Sequence, residues 1–84
     1  MFRLRITTQA QRELKKISQL HRQLVLAALE DIEENPFQGK ALVKEYTGKI
    51  AYKIGVYRII YKINAKDETV DILTAGHRSI IYIN

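Results

Sequence analysis

The chain has 84 residues, of which 46% are hydrophobic and 27% charged, and this composition predicts one small globular domain over residues 1–84. Because the chain contains no cysteine, disulfides, thiolate nucleophiles and cysteine-ligated zinc are excluded. Fourteen Lys and Arg against nine Asp and Glu give a net charge of +5, which suits a polyanion or an acidic protein partner.

No apolar run approaches the roughly 18–20 residues that a membrane-spanning helix needs, and the first residues do not resemble a signal peptide. We therefore expect a cytoplasmic protein that makes no membrane contact. The two histidines lie far apart in the sequence and away from any pair of carboxylates, so we expect no metal site and no cofactor.

The first half of the chain has the pattern of one strand followed by two helices. Residues 2–7 alternate apolar and polar side chains, which predicts an amphipathic strand. Thr8 is a candidate helix cap, with Gln11 completing a capping box. A break near Ser18 starts a second helix with a broad apolar stripe, and this helix ends at residues 35–36 because proline pushes the preceding residue out of the α region. The two helices are expected to form a hairpin.

From residue 50 onward the pattern is that of strands. Two alternating segments run from residue 50 to residue 63, with a tight turn predicted near residues 55–56. A polar loop over residues 64–68 leads to a β-branched strand over residues 69–75, and residues 79–83 form a short extended tail. The order β-α-α-β-β-β predicts an α+β fold, in which an antiparallel sheet of about four strands carries the N-terminal helical hairpin on one face.

Alternation along these strands separates cations from apolar side chains. Lys53 shares its side of one strand with small residues, and Arg58 and Lys62 share a side of the next strand. If the apolar rows pack under the helices, these three cations stand together on the uncovered face, and Arg78 emerges at the end of the adjacent strand. Cations on a rigid sheet, beside residues small enough to admit a bulky ligand, are typical of a phosphate-binding surface.

The order of the elements and two segments resemble the RelE/ParE superfamily of toxins, and are closer to its RelE branch: residues 52–61 (YKIGVYRIIY) and residues 76–82 (GHRSIIY). Members of this superfamily are the toxin halves of type II toxin–antitoxin pairs, and the resemblance spans nearly the whole chain. It implies an endoribonuclease, or mRNA interferase, that cuts messenger RNA on the ribosome. It also implies a cognate antitoxin, expected to be acidic, that wraps the toxin and holds it inactive.

The resemblance assigns candidate site residues one by one. Lys53 matches the first of two family lysines, Arg58 and Arg78 match the family arginines, and Tyr82 matches the C-terminal tyrosine. This chain has Gly55 where the RelE branch has its second lysine, which leaves the identity of the general base open.

The implied reaction is attack of a ribose 2′-hydroxyl on the adjacent phosphorus, which needs a base, an acid and cations for the charge that develops. In this scheme Arg58 and Arg78 stabilise the phosphorane, since arginine stays protonated and can donate to two phosphate oxygens. Lys53 or His77 transfers protons, and Tyr82 stacks a base or assists the proton transfer. Three further lysines are candidates for RNA binding: Lys44, Lys49 and Lys62.

Two other functions are compatible with the same resemblance. ParE-like relatives share the fold but inhibit DNA gyrase by protein binding. A toxin-fold module without catalytic activity would bind only RNA or its antitoxin. The nuclease is favoured by the completeness of the set formed by Lys53, Arg58, Arg78 and Tyr82.

Overall fold

The structure is a computed structural model, and it describes residues 2–79. In chain order the elements are β1 Arg3–Ile6, α1 Thr8–Lys16, α2 Gln19–Glu34, β2 Lys40–Ala41, β3 Ile50–Ile54, β4 Tyr57–Asn64 and β5 Thr69–His77. Single turns of 3₁₀ helix cover Pro36–Gln38 and Lys44–Tyr46. This order confirms the predicted α+β fold. The predicted tail lies outside the described residues from position 80 onward.

The strands form one five-stranded sheet in the order β1-β5-β4-β3-β2. Three of the four pairings are antiparallel, as predicted, but β1 runs parallel to β5. A parallel pair needs a long connection between its strands. Here the two helices carry the chain from β1 to β2 at the far edge of the sheet, and β3, β4 and β5 then follow in order back toward β1. The fifth strand is the two-residue β2, which the sequence pattern placed in a turn-rich stretch.

The cap of α1 lies one residue earlier than predicted. The Thr7 hydroxyl accepts from the amide of Ala10 (3.2 Å) and also donates to the carbonyl of Ile72 (2.9 Å). The Gln11 side chain donates to the carbonyl of Ile6 (3.1 Å), so the predicted capping box is wrong. Thr7 takes the cap because its hydroxyl also ties the β1–α1 junction to β5.

The main core lies between the hairpin of helices and one face of the sheet. It contains Ala10, Ile17, Val25, Ala28, Leu29, Ile32, Ile59, Tyr61, Val70, Ile72 and Ala75, all of them buried. As predicted, α2 stops just before Pro36, where Asn35 ends the helix and its side chain accepts from the amide of Phe37 (3.2 Å). None of the helices within residues 2–79 has the length and apolar character that crossing a membrane requires.

Tyr61 fixes the segment that follows α2. Its side chain is fully buried, and its hydroxyl donates to the carbonyl of Pro36 at 2.7 Å. Burial raises the pKa of Tyr61 to about 12. A Cβ at Gly39 would lie 2.5 Å from the Ile50 side chain and 2.6 Å from the Tyr61 hydroxyl, so this close approach of the backbone requires glycine.

Candidate nucleic-acid interface

The side of the sheet opposite the helices, here called the open face, carries a pair of facing cations. In the register of β3 and β4, Lys53 lies directly opposite Arg58, and the next pair on the same face is Ala51 and Ile60. Directly opposed residues have Cβ atoms about 4.5–5.5 Å apart, and like charges in such a pair repel. Among residues 2–79 neither cation has an ion-pair partner. This pair is therefore suited to holding an anion between its two side chains.

On the other flank of Arg58, its partner across β4 and β5 is Gly76, which carries no side chain. Arg78 follows two residues later, and its amide donates to the carbonyl of Val56 at 2.7 Å. This hydrogen bond keeps exposed Arg78 beside the β3–β4 turn, at the same end of the sheet as the Lys53–Arg58 pair.

An irregularity in β5 decides which side its last residues face. Ile60 pairs with Thr74 but Tyr61 pairs with Ile72, so Leu73 is an extra residue in β5. Such a bulge shifts the alternation by one position. Before it, Val70 and Ile72 face the main core, whereas after it Ala75 does so. Gly76 consequently shares the open face with Arg58.

The same bulge places His77 on the helix side of the sheet. His77 pairs with Tyr57, which packs against the main core, and the two ring centroids are 5.9 Å apart. The ring of His21 from α2 lies 5.3 Å from Tyr57. The His77 Nδ1 accepts from the amide of Ser79 (3.0 Å). The structure thus separates His77 from the Lys53–Arg58 pair, and its role in proton transfer stays a prediction.

Part of the open face is covered, although the alternation predicted it to be bare. Buried Leu42, Ala51 and Ile60 form a second, smaller cluster, against which Tyr46 and Leu73 pack. Leu42 and Tyr46 belong to the chain between β2 and β3, so this chain packs on the open face. Because that chain has no periodic pattern, the position of Tyr46 on this face could not be predicted from the sequence.

The three lysines predicted to bind RNA occupy different surroundings. The backbone of Lys44 is left-handed, with φ of 59°, and its carbonyl accepts from the Thr47 hydroxyl (2.6 Å). The Lys49 Nζ lies 5.8 Å from the centroid of the Tyr46 ring. Lys62 is exposed on the open face opposite Asp71.

Lys62 therefore stands beside an acid that is already engaged. Asp71 accepts from the Arg5 side chain through both carboxylate oxygens, at 2.8 and 3.3 Å. This ion pair raises the pKa of Arg5, mainly through the hydrogen bond to Asp71.

Tyr82, the remaining candidate, lies outside the described residues, so its role stays a prediction.

Comparison with known proteins identifies the family of this chain. A family model described as the ParE toxin of the type II toxin-antitoxin system, parDE, matches residues 4–82. Toxin RelG of Mycobacterium tuberculosis (strain ATCC 25618 / H37Rv) is 35% identical over 83 residues, which cover 96% of this chain and 95% of RelG.

Solved structures show the same fold. The toxin-antitoxin complex RelBE2 from Mycobacterium tuberculosis contains a chain with a TM-score of 0.85 and 34% identity, covering 92% of this chain and 98% of that one. The archaeal RelE-RelB complex from Pyrococcus horikoshii OT3 gives a TM-score of 0.76 at 26% identity, covering 95% of this chain and 98% of that one. With the family match over residues 4–82, these likenesses show that the chain belongs to the RelE/ParE superfamily and is the toxin of a type II toxin–antitoxin system.

Proposed function

We propose that this toxin is an endoribonuclease that cuts messenger RNA by attack of a ribose 2′-hydroxyl on the adjacent phosphate, without a metal ion. The observation that carries the proposal is the Lys53–Arg58 pair on the open face, which lacks an acidic partner within residues 2–79. Arg78 lies at the same end of the sheet and supplies a third cation.

These cations match the charge that the reaction develops. The phosphorane formed by 2′-hydroxyl attack carries one more negative charge than the phosphodiester, and donors placed in advance stabilise it most. Arg58 can donate to two phosphate oxygens at once, and its cross-strand partner Gly76 carries no side chain. Arg78 follows directly after β5, and the hydrogen bond from its amide to the carbonyl of Val56 keeps it near this pair.

Proton transfer is divided among the remaining groups. An arginine is a poor proton donor because its pKa exceeds about 12. Lys53 or His77 transfers the protons, and Tyr82 stacks a base or assists. Since Lys53 shares a face with Arg58 and His77 does not, the geometry favours Lys53. A site of this kind is slow until the RNA is oriented, since positioning supplies up to about 7–11 kcal/mol of the barrier, and this favours action on the ribosome.

The partners follow from the same surface. Two of the structural relatives were solved as complexes of a toxin with its antitoxin, which supports a cognate antitoxin for this chain. The excess of five positive charges favours an acidic antitoxin. An antitoxin segment lying over the Lys53–Arg58 pair would exclude the phosphate, and this accounts for inhibition by wrapping.

A second candidate function is inhibition of DNA gyrase. It is favoured by one observation, the match to a model described as the ParE toxin. This activity would proceed by protein binding and would not require the Lys53–Arg58 pair to hold a phosphate.

The test is cleavage of a reporter messenger in a translating extract, followed by mapping of the 5′ ends. The wild-type chain should cut the messenger, and Arg58→Ala should cut it about 10²-fold or more slowly, as expected when a charge-stabilising donor is lost. Arg12→Ala is the matched control, since Arg12 is an exposed arginine on α1, and it should retain full activity.

Three results would decide against the proposal. An intact messenger together with inhibited supercoiling would favour the gyrase inhibitor. An intact messenger without that inhibition would favour a module that only binds. Full cleavage by both Arg58→Ala and Arg78→Ala would show that the nuclease site lies elsewhere.

A further inference from the structure

We propose that Tyr46 is a stacking platform for the nucleobase next to the phosphate held by the Lys53–Arg58 pair. The inference rests on the proposed function and adds to it a binding position for one base of the substrate. Tyr46 has no role predicted from the sequence pattern, and only its position in the folded chain indicates one.

Tyr46 packs against a cluster that begins one cross-strand pair away from the cations. This cluster consists of Leu42, Ala51 and Ile60, of which Ala51 and Ile60 are directly opposed on the open face. Lys53 and Arg58 form the neighbouring pair on that face, two residues along each strand, or about 7 Å away at about 3.3 Å per residue. A nucleotide whose phosphate lies between the two cations therefore has the Tyr46 ring within reach of its base.

The other tyrosines within residues 2–79 are committed elsewhere. The hydroxyl of Tyr61 donates to Pro36, and that of Tyr52 donates to the Asp31 carboxylate at 3.2 Å. The Tyr57 ring contacts the rings of both histidines on the helix side. All three pack with the main core, whereas half-exposed Tyr46 packs with the cluster on the open face. Tyr46 is thus the tyrosine, in the part of the chain described, that RNA on the open face would meet.

The loop that carries Tyr46 is fixed by its own hydrogen bonds. The Tyr46 amide donates to the carbonyl of Val43 (3.2 Å), and the Lys49 amide donates to the carbonyl of Tyr46 (3.0 Å). Leu42 closes the loop by donating its amide to the carbonyl of Lys49 (2.9 Å). Because the loop is held in this way, a base that stacks on Tyr46 orders little additional chain, which favours binding.

Lys49 completes the site with a movable charge. At 5.8 Å from the Tyr46 centroid, its ammonium is near the limit of about 6 Å for a cation–π contact. A lysine on a flexible stem can leave the ring when a base arrives and can bind the next phosphate instead. An aromatic ring with cations on either side is the arrangement by which proteins bind single-stranded nucleic acid without strong sequence preference. The cations beside Tyr46 make RNA a better occupant than an uncharged peptide.

The experiment compares Tyr46→Leu with Tyr46→Phe in the translating extract. Leucine keeps an apolar side chain against the cluster of Leu42, Ala51 and Ile60 but cannot stack, whereas phenylalanine keeps the ring. We expect Tyr46→Leu to cleave about tenfold more slowly, from the loss of one stacked base, and Tyr46→Phe to cleave as the wild type does. The modest base preference that stacking strength gives beside the cleaved bond should weaken in Tyr46→Leu and stay unchanged in Tyr46→Phe. A purely structural role would not alter that preference.

Wild-type rate and preference in Tyr46→Leu would overturn the inference, as would equal losses in the two variants. A loss of antitoxin binding with normal cleavage would assign Tyr46 to a protein contact instead. Arg58→Ala distinguishes failure of the proposed stacking site at Tyr46 from failure of the proposed nuclease function. If the wild type cleaves, Arg58→Ala does not, and Tyr46→Leu is normal, only the stacking site is wrong. If the wild type does not cleave, both proposals are wrong.

Discussion

Replacing Tyr61 with phenylalanine tests whether one buried hydroxyl holds the segment after α2 in place. The hydroxyl donates to the carbonyl of Pro36 at 2.7 Å. Tyr61 is fully buried, so no water can replace the lost oxygen, and the Pro36 carbonyl loses its partner. A buried group left unpaired costs about 1–3 kcal/mol. We therefore expect Tyr61→Phe to lower the free energy of unfolding by about 1–3 kcal/mol and the Tm by about 5 °C or more.

The assay is urea denaturation of the wild type, Tyr61→Phe and the matched control Tyr52→Phe. The Tyr52 hydroxyl donates to Asp31 at 3.2 Å in an exposed position, where water can replace it. Its loss should cost less than about 1 kcal/mol. Equal losses in the two variants would refute the reasoning, because burial would then not decide the cost.

The pKa of Tyr61 gives a second readout of the same burial. Its value is raised from 10.0 to about 12 in the folded chain. The neutral phenol is thus favoured by folding, so this contribution to stability is complete below about pH 10 and is lost as the pH rises toward about 12. The difference in unfolding free energy between the wild type and Tyr61→Phe should shrink over that interval. A constant difference across it would contradict the assignment.

Two further predictions concern the close packing at Gly39 and the N-terminal cap of α1. Gly39→Ala should destabilise the chain by about 1–3 kcal/mol, because the new methyl group would lie 2.5 Å from the Ile50 side chain; an unchanged Tm would show that this segment can move aside. Thr7→Ala should cost about 1 kcal/mol by loss of the cap of α1, whereas Thr8→Ala should be nearly neutral, as measured by urea denaturation. A larger loss of stability in Thr8→Ala than in Thr7→Ala would show that Thr8 caps α1, as the sequence predicted.

The charge distribution of the sheet separates the proposed RNA site on one side from the main core on the other. Strand alternation puts Lys53 and Arg58 on the face opposite the helices, while their apolar neighbours fill the main core. The same strands therefore stabilise the fold and present the candidate site. A substitution such as Arg58→Ala should consequently separate activity from stability.

Local sequence determined the two helices, the strands other than β2, and the sides of β3 and β4. Alternation with a period of two predicted that Lys53 and Arg58 share a face, and Pro36 predicted the end of α2. The segments 52–61 and 76–82 were sufficient to indicate the superfamily. These features depend on residues close together in the chain, which is why a single sequence contains them.

Tertiary contacts decided the rest. The extra residue Leu73 in β5 reverses the alternation beyond it, which puts His77 beside the helices and Gly76 beside Arg58. Counting from Ile72 along the sequence gives the opposite result. The packing of Leu42 and Tyr46 on the open face could also not be predicted from the sequence. A loop without a periodic pattern is positioned by its backbone hydrogen bonds and by an apolar surface that is distant in the chain. Register and loop packing both depend on partners far away in the chain, and the local pattern contains no information about them.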